Sequence, residues 1–213
     1  MKIFKEIEEV EGTLIEWRRD LHSNPELAFE EHQTARFVAE KLREFNIEVE
    51  ENIGGTGVVG TLKRGRGNLA IGLRADLDAL PIQEGNDFSH KSKNPGKMHA
   101  CGHDGHTTML LGAAQYLSKH GKFSGTIHFI FQPAEENEGG GKAMIEEGLF
   151  ERFPVNSIFG MHNIPGIPVG CFAIKPGPMM AAFDVFELTI RGKGGHAAMP
   201  HLATDPIQIG TKI

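Results

Sequence analysis

The segment Met98–His106 contains one thiol and three imidazoles within nine residues, at Cys101, His99, His103 and His106. Thiolate sulfur and imidazole nitrogen are the donors that zinc and similar ions prefer. The chain has only two cysteines, so a disulfide framework does not explain Cys101. Cys101 and His103 are two residues apart, which lets both side chains point the same way in an extended loop. The alternative is a buried small cysteine beside a hydrogen-bonded histidine.

Two adjacent carboxylates, Glu135 and Glu136, follow the segment Gln-Pro-Ala at residues 132–134. Neighbouring side chains point in different directions, so one carboxylate can bind a metal ion while the other hydrogen-bonds a water molecule and acts as general base. The alternative is a solvated acidic loop that continues to Glu138. A β-type run before the pair and glycines after it favour the catalytic interpretation.

Four further polar residues allow a functional and a structural interpretation: Asp76, Asp78, His162 and His196. The two aspartates can orient a ligand imidazole, or they can cap a helix or turn. His162 is either a metal ligand or a hydrogen-bonded histidine at a strand end. His196 follows a glycine loop, where a histidine can donate a hydrogen bond to a developing oxyanion; the alternative is an ordinary connection between two elements.

The elements that must position these residues alternate between helix and strand. A first helix is predicted from apolar residues at helical spacing: Ile3, Ile7, Val10, Leu14 and Trp17. The Asn24-Pro25 pair ends it, and residues 30–45 predict a second helix whose apolar face carries Ala35, Val38, Ala39 and Leu42. Further helices are predicted from about His106 and over about 141–147. Short β-type runs lie at 47–49, 58–62, 69–73, 126–131 and 157–161. This alternation favours an α/β sheet covered on both faces.

Three of the predicted strands end next to candidate residues. Residues 69–73 lead to the two aspartates, residues 126–131 lead to the two glutamates, and residues 157–161 lead to His162. In open α/β sheets, sites lie beyond the carboxyl ends of the strands. We therefore expect these acids and the imidazole to meet at one edge of the sheet.

The pattern changes near the end of the chain. Residues 183–191 alternate strictly in polarity, which is typical of a strand with one covered and one exposed face. This indicates a different, smaller layer. We place a domain boundary within residues 177–182, next to the segment Pro-Gly-Pro at 176–178.

The composition suits a globular protein of one or two domains, with 213 residues, 39% of them hydrophobic and 23% charged. A net charge of −6 and scattered basic residues argue against nucleic acid as a partner. No apolar run reaches the roughly 18 residues of a membrane span, and the N-terminus has no apolar core of a secretory signal. Two cysteines fit a reducing compartment, so we expect the cytoplasm.

In their order along the chain, these motifs resemble the hippurate hydrolase and N-acyl-amino-acid amidohydrolase branch of the dinuclear metal aminoacylase–carboxypeptidase (M20 peptidase) family. The matching stretches are WRRDLHSNPELAFEE (17–31), LRADLDALPI (73–82), MHACGHDGHTTMLLGAA (98–114), FQPAEE (131–136), GMHNIPGIPVG (160–170) and GKGGHAAMPH (192–201). The resemblance covers the chain up to about Pro206, and six ordered motifs argue against chance similarity.

The resemblance implies an α/β fold: a three-layer αβα catalytic domain with a zinc-peptidase-like mixed sheet over residues 1–180, then the start of a smaller α+β lid or dimerisation domain over 181–213. Chains of this family are usually much longer, because the lid continues and the chain then returns to the catalytic domain with a last histidine ligand. A lone lid strand with one helix cannot bury its apolar face. We therefore interpret the sequence as an N-terminal fragment, and we expect a homodimer or homo-oligomer for the full-length form.

The resemblance also implies two divalent metal ions, zinc, manganese or cobalt. Their ligands would be Cys101, His103, Glu136 and His162. Cys101 would bridge the two ions as a thiolate. His99 and His106 are interpreted as supporting residues.

Catalytic roles follow from the same resemblance. Glu135 would be the general base and Asp78 the carboxylate that supports a ligand. His196, in the lid, would stabilise the oxyanion, in relatives often across a dimer interface. Asp76 stands where other branches of the family carry a histidine ligand.

The main hypothesis is a metal-dependent amidohydrolase that cleaves the amide bond of N-acyl-amino acids of the hippurate type by metal-activated water. The products are a carboxylate and a free amino acid. The expected partner is thus a small-molecule N-acyl-amino acid, with neither nucleic acid nor a membrane. One alternative is a truncated, inactive fragment that retains partial metal binding. A second is a cysteine nucleophile at Cys101 with His103 as its base, and a third is a structural zinc site, which would not need Glu135.

Overall fold

The computed structural model describes residues 4–182 and 184–213. Three helices open the chain: α1 (Lys5–Glu8), α2 (Glu11–Ser23) and α3 (His32–Glu44). The single first helix predicted from the sequence is thus two helices separated at Glu9 and Val10, and Ile3 lies outside the described residues. The Asn24-Pro25 pair ends α2 as predicted, and the side-chain amide of Asn24 donates a hydrogen bond of 2.8 Å to the carbonyl of Asp20.

Helix α3 covers the second predicted helix almost completely. The four residues predicted for its apolar face are all buried: Ala35, Val38, Ala39 and Leu42. Its free N–H groups are capped by Glu26, whose carboxylate accepts hydrogen bonds from the backbone of Gln33 and Thr34 and from the Thr34 hydroxyl. A carboxylate at this end also suits the positive end of the helix dipole.

Five strands form one mixed sheet: β1 (Glu48–Ile53), β2 (Gly57–Arg64), β3 (Ala70–Asp76), β4 (Gly125–Gln132) and β5 (Ser157–Gly160). Their order is β1-β2-β4-β3-β5. The pairs β1–β2 and β2–β4 are antiparallel, and β3 is parallel to both β4 and β5. The register pairs Asp76 with Gln132 and Arg74 with Gly160, so the carboxyl ends of the three parallel strands share one edge.

The helices α4 (His103–His120), α5 (Gly140–Glu146) and α6 (Leu149–Arg152) complete the first part of the chain. Helix α4 begins three residues before the predicted start at His106. Gly102 precedes it with φ +109°, a conformation that glycine adopts without steric cost, and this turn lets His103 open the helix.

Two hydrophobic cores lie on opposite faces of the sheet. Adjacent strand residues point to opposite faces, so Val58 joins one core while Val59 joins the other. The larger core is formed with α3 and α4, and the smaller one with Met144 of α5 and Leu149 of α6. The arrangement is a three-layer α/β fold, as the sequence predicts.

The described chain divides into two compact units, Met1–Ile167 and Pro168–Ile213. This division falls before the boundary predicted at 180/181, and the functional domains 1–180 and 181–213 stay a prediction. Across residues 4–182 and 184–213, no helix combines the length and apolar character that crossing a membrane requires.

The second unit contains a 3₁₀ helix, Pro200–Leu202, and a short helix α7 (Pro206–Gly210). The strand predicted over 183–191 is wrong for its described part, because residues 184–191 have no regular secondary structure; Phe183 lies outside the described residues. A strand needs a neighbour for its backbone hydrogen bonds. Within the described part of this unit, the pairing consists of an isolated bridge between Lys193 and Thr204.

Candidate metal centre

The carboxyl ends of the parallel strands deliver the predicted residues to one edge of the sheet, as expected. Asp76 is the last residue of β3, and the two glutamates occupy the turn after β4. His162 follows β5 by two residues, and His103 opens α4. Elements distant in sequence therefore place acids, imidazoles and a thiol within a few ångström of each other.

His103 is fully buried and oriented through one ring nitrogen. Its Nδ1 donates to the backbone carbonyl of Asp78 at 2.8 Å and faces the Asp78 carboxylate at 3.2 Å. Donation from Nδ1 leaves a lone pair on Nε2, and Nε2 has no hydrogen-bond partner among the described residues. A buried nitrogen without a partner is costly, so this atom is placed as a metal ligand would be.

The two glutamates face the same nitrogen. Glu136 Oε1 lies 3.7 Å and Glu135 Oε2 3.8 Å from His103 Nε2. Glu136 Oε1 is buried and, in the described structure, also lacks a hydrogen-bond partner. A cation between His103 and Glu136 would satisfy both atoms. The Glu135 side chain is 40% exposed against 17% for Glu136, so Glu135 is the carboxylate that remains open to solvent.

Cys101 and His162 form a second group that also includes His103. Cys101 Sγ lies 3.3 Å from His162 Nε2, and His162 Nδ1 donates to the backbone carbonyl of Asn163 at 2.6 Å. The donor atoms of Cys101, His103 and His162 all lie within 4.8 Å of one another, as do those of His103 and the two glutamates. Because Nε2 of His103 has a single lone pair to give to a cation, these overlapping groups mark one candidate centre at this edge of the sheet.

The electrostatics of the site favour positive charge. Burial, and then the carboxylates beginning with Glu136, raise the pKa of Cys101 to about 12. Burial opposes the charged form of His103, but the hydrogen bond with Asp78 and the charge of Asp76 raise its pKa overall. A nucleophilic cysteine needs a lowered pKa and a base. In the described structure the imidazole at hydrogen-bond distance from the Cys101 thiol is that of His162, not that of His103, so the geometry does not favour Cys101 and His103 as nucleophile and base.

Asp76 binds other side chains at the sheet edge. It accepts a hydrogen bond of 2.6 Å from His106 Nδ1 and one of 2.7 Å from Arg74 Nη1. Burial opposes its charge, yet the hydrogen bond with His106 and the charges of His103 and Arg74 keep its pKa well below the usual range. The other nitrogen of His106 accepts the backbone N–H of Asn163 at 3.1 Å. His106 thus has both nitrogens engaged, which fits the supporting role predicted for it.

Asp78 connects two of the candidate ligands. One carboxylate oxygen faces His103 Nδ1, and the other accepts the backbone N–H of Glu136 at 2.9 Å. Although burial opposes its charge, the hydrogen bonds with His103 and the backbone of Glu136 lower the pKa of Asp78. Asp78 thus also holds the backbone of the turn that carries Glu136, and its role in supporting a metal ligand stays a prediction.

His99 and His196 lie in different surroundings. His99 is buried, burial lowers its pKa to about 4, and both its ring nitrogens lack partners among the described residues. His196 belongs to the second unit, where its Nδ1 accepts the backbone N–H of Ala198 at 3.1 Å. Its role in catalysis stays a prediction.

Two buried groups near the site were missed by the sequence interpretation. His22 bonds Asp104 at 2.8 Å, and Asp104 directly follows His103, so α2 is tied to the start of α4. The carboxylate of Glu31 accepts the backbone N–H of Ala134, just before the two glutamates. Both His22 and Glu31 lie in the matching stretch 17–31. The signal that could have identified them is that both are polar residues within a stretch that matches the family.

Comparisons with known proteins agree with this geometry. The family model described as peptidase family M20/M25/M40 matches residues 72–209. The chain is 51% identical over 207 residues to a hippurate hydrolase of Campylobacter jejuni, covering 97% of this chain and 54% of that protein. It is 46% identical over 209 residues to an N-acyl-L-amino acid amidohydrolase of Geobacillus stearothermophilus, covering 97% of this chain and 56% of that protein.

The structure is also similar to the crystal structure of the YXEP protein of Bacillus subtilis, a dinuclear metal binding peptidase from the M20 family. The TM-score is 0.76 at 43% identity, over 80% of this chain and 48% of that one. The chain thus spans about half the length of the relatives it matches. The family model matches well over half of the chain, so the chain belongs to peptidase family M20/M25/M40.

Proposed function

We propose that this chain carries the catalytic centre of a metal-dependent amidohydrolase that cleaves N-acyl-amino acids of the hippurate type into a carboxylate and a free amino acid. The observation that carries the proposal is the pair of buried, unpartnered atoms His103 Nε2 and Glu136 Oε1, 3.7 Å apart, beside the exposed carboxylate of Glu135. A structural ion would account for the two unpartnered atoms but would not need the carboxylate of Glu135.

The substrate class is supported by the relatives. The Campylobacter jejuni protein is a hippurate hydrolase, and the Geobacillus stearothermophilus protein is an N-acyl-L-amino acid amidohydrolase. Both names describe hydrolysis of an amide bond between an acyl group and an amino acid. The identities of 51% and 46% extend over nearly the whole of this chain and include the candidate site.

Two divalent cations, zinc, manganese or cobalt, are the proposed cofactors. The residues that would hold them are Cys101, His103, Glu136 and His162. When bound, such ions supply Lewis acidity that polarises a carbonyl oxygen and makes water more acidic. The mixed sulfur, nitrogen and oxygen donors fit borderline ions of this kind.

Glu135 is the proposed general base. Its carboxylate is 40% exposed and lies 3.8 Å from His103 Nε2, so it can contact both a water molecule in the site and a substrate entering from solvent. It takes a proton from the attacking water and then gives that proton to the nitrogen of the leaving amino acid. Asp78 keeps His103 and the Glu136 backbone in place, and His196 is proposed to stabilise the oxyanion.

The proposal extends to the environment of the protein. Cys101 and Cys171 are both free thiols. A thiol that serves as a metal ligand must stay reduced, which supports the proposed location in the reducing cytoplasm. A homodimer is proposed from the family resemblance, and light scattering on the protein in solution tests it.

The test is hydrolysis of benzoyl-glycine and acetyl-amino acids by protein loaded with zinc, manganese or cobalt. Replacing Glu135→Gln removes the base but keeps the side-chain size, and kcat is expected to fall by about 10²- to 10⁴-fold. Glu138→Gln in the same turn is the control, because Glu138 is exposed. An unchanged rate for Glu135→Gln, with metal binding intact, would show that the mechanism is wrong.

A further inference from the structure

Glu31 is a buried carboxylate that the proposed reaction does not use. It precedes α3 and is completely buried. Its Oε2 accepts the hydroxyl of Thr56, and its Oε1 accepts the backbone N–H of Ala134 at 2.8 Å, although Ala134 is 103 residues away in the sequence. Within the described residues, Glu31 forms no ion pair. A buried carboxylate held only by neutral donors is costly to maintain, so its contacts need an explanation.

Ala134 has an unusual backbone conformation. Its φ is +48°, in the left-handed region that residues with a Cβ rarely adopt. Its N–H donates to Glu31, and its carbonyl accepts the backbone N–H of Gly140 at 2.9 Å. Both backbone polar groups of Ala134 are thus fixed, the N–H by Glu31 and the carbonyl by Gly140, the first residue of α5.

The turn after β4 closes tightly at Gly140. A Cβ added to Gly140 would lie 1.9 Å from the carbonyl oxygen of Pro133, so only glycine fits here without a backbone shift. Ala134 directly precedes Glu135 and Glu136. A change of φ at Ala134 would therefore redirect both carboxylates and move them away from His103 Nε2.

We propose that Glu31 is a positioning residue of the metal centre: by holding Ala134 in its left-handed conformation, it sets the directions of Glu135 and Glu136. The expected effect of Glu31 on catalysis rests on the proposed function. Asp78 holds the same turn from another side, through the backbone N–H of Glu136. Two buried carboxylates thus fix the turn at two points, on either side of the general base.

The test compares Glu31→Ala, Glu31→Gln and a matched control, Glu26→Ala, in the 213-residue chain. Glu26 is also a buried carboxylate beside the start of α3, but its side chain accepts hydrogen bonds from Gln33 and Thr34 and, among the described residues, none from the turn after β4. A merely structural role would give both alanine variants the same effects. Metal affinity is measured by titration with Co²⁺, using the absorption bands of the bound ion, and kcat and KM are measured with benzoyl-glycine.

Glu31→Ala is expected to weaken Co²⁺ binding by at least about tenfold, as removal of a residue that orients a ligand does. It should change the Co²⁺ spectrum and lower kcat more than it changes KM. Glu31→Gln keeps an oxygen that can accept the N–H of Ala134, so its affinity should stay within about threefold of the wild type. Glu26→Ala should reduce stability while leaving the Co²⁺ affinity within about twofold. Equal affinities for the two alanine variants would overturn the proposal.

Two further measurements keep the test decisive. If Glu31→Ala does not fold, Glu31→Asp takes its place. The aspartate retains the charge but is one methylene shorter, so its carboxylate cannot reach both Thr56 and Ala134. Glu31→Asp should weaken Co²⁺ binding by several-fold, and unchanged binding would contradict the proposal. Amide hydrogen exchange at Ala134 should accelerate in the same variant. Neither measurement needs a substrate. If the wild type cleaves no N-acyl-amino acid while these effects persist, the proposed function fails and the positioning role stands.

Discussion

Replacing Asp78→Ala gives a sharp test of how the metal centre is supported. Asp78 is almost completely buried. The substitution removes the carboxylate oxygen 3.2 Å from His103 Nδ1 and the oxygen that accepts the Glu136 N–H at 2.9 Å. It leaves the backbone carbonyl of Asp78, which accepts from His103 Nδ1 at 2.8 Å. His103 therefore keeps its shorter contact, and the larger loss is at Glu136.

The size of the effect follows from these contacts. Removing a residue that orients a ligand typically weakens metal binding by about 10- to 100-fold, or about 1.4 to 2.7 kcal/mol. Because His103 retains its backbone acceptor, we expect the lower part of this range for Asp78→Ala, about tenfold. The partly buried N–H of Glu136 also loses its acceptor, which should lower the free energy of unfolding of the metal-free protein by about 1 kcal/mol.

The assay is a zinc titration in competition with a chromophoric chelator, together with urea unfolding of the metal-free protein. Asp78→Asn should give an intermediate loss, because its single amide oxygen cannot replace both carboxylate oxygens. Asp87→Ala is the control for charge, since the Asp87 side chain is fully exposed. If Asp78→Ala binds zinc within twofold of the wild type, or if Asp87→Ala weakens binding equally, the reasoning about Asp78 is wrong.

Two other predictions concern the fold. Leu111 is fully buried in the larger core, so Leu111→Ala should lower the free energy of unfolding by about 2 to 5 kcal/mol in urea titrations, whereas the same change at exposed Met109 should have little effect. The hydrogen bond with Asp104, and then that with Glu84, raise the pKa of His22 above 6.5. The native state therefore binds more protons than the unfolded state, so this stabilisation is complete below about pH 6.5 and is lost as the pH rises through the raised pKa. His22→Gln should flatten that part of the stability profile, and an unchanged slope would exclude His22 as its source.

The regular elements were largely predictable because their signals are local. The helical spacing over 30–45 gave α3 (His32–Glu44), and the apolar run at 126–131 gave β4 (Gly125–Gln132). The errors came from non-local causes. The start of α4 depends on the φ of Gly102, and the predicted strand at 183–191 lacks pairing over its described residues 184–191. Alternating polarity indicates how a strand would be covered, but hydrogen-bonded neighbours decide whether it forms.

The part of the candidate site that lies at the ends of the strands was predictable from the sequence. Parallel strands share their carboxyl edge, so acids after β3 and β4 and His162 after β5 had to approach each other once the order of strands was set. The contacts between Glu31 and Ala134 and between His22 and Asp104 join residues 103 and 82 positions apart. No periodicity or motif spacing encodes such pairs, and only the packing of α2 and α3 against the rest of the fold brings them together.

The five carboxylates at this edge differ in their hydrogen-bond donors, and that difference separates their roles. Asp76, Asp78 and Glu31 each accept two or more hydrogen bonds from protein groups, so their lone pairs are already used to hold side chains or backbone. Glu136 has a buried oxygen with no donor in the described structure, which leaves it available to a cation, and Glu135 remains open to solvent. A carboxylate saturated by donors is a poor metal ligand, because binding a cation would mean giving up those hydrogen bonds. The hydrogen-bond pattern therefore supports the proposed role of Glu136 as a metal ligand and the proposed role of Asp78 as its support.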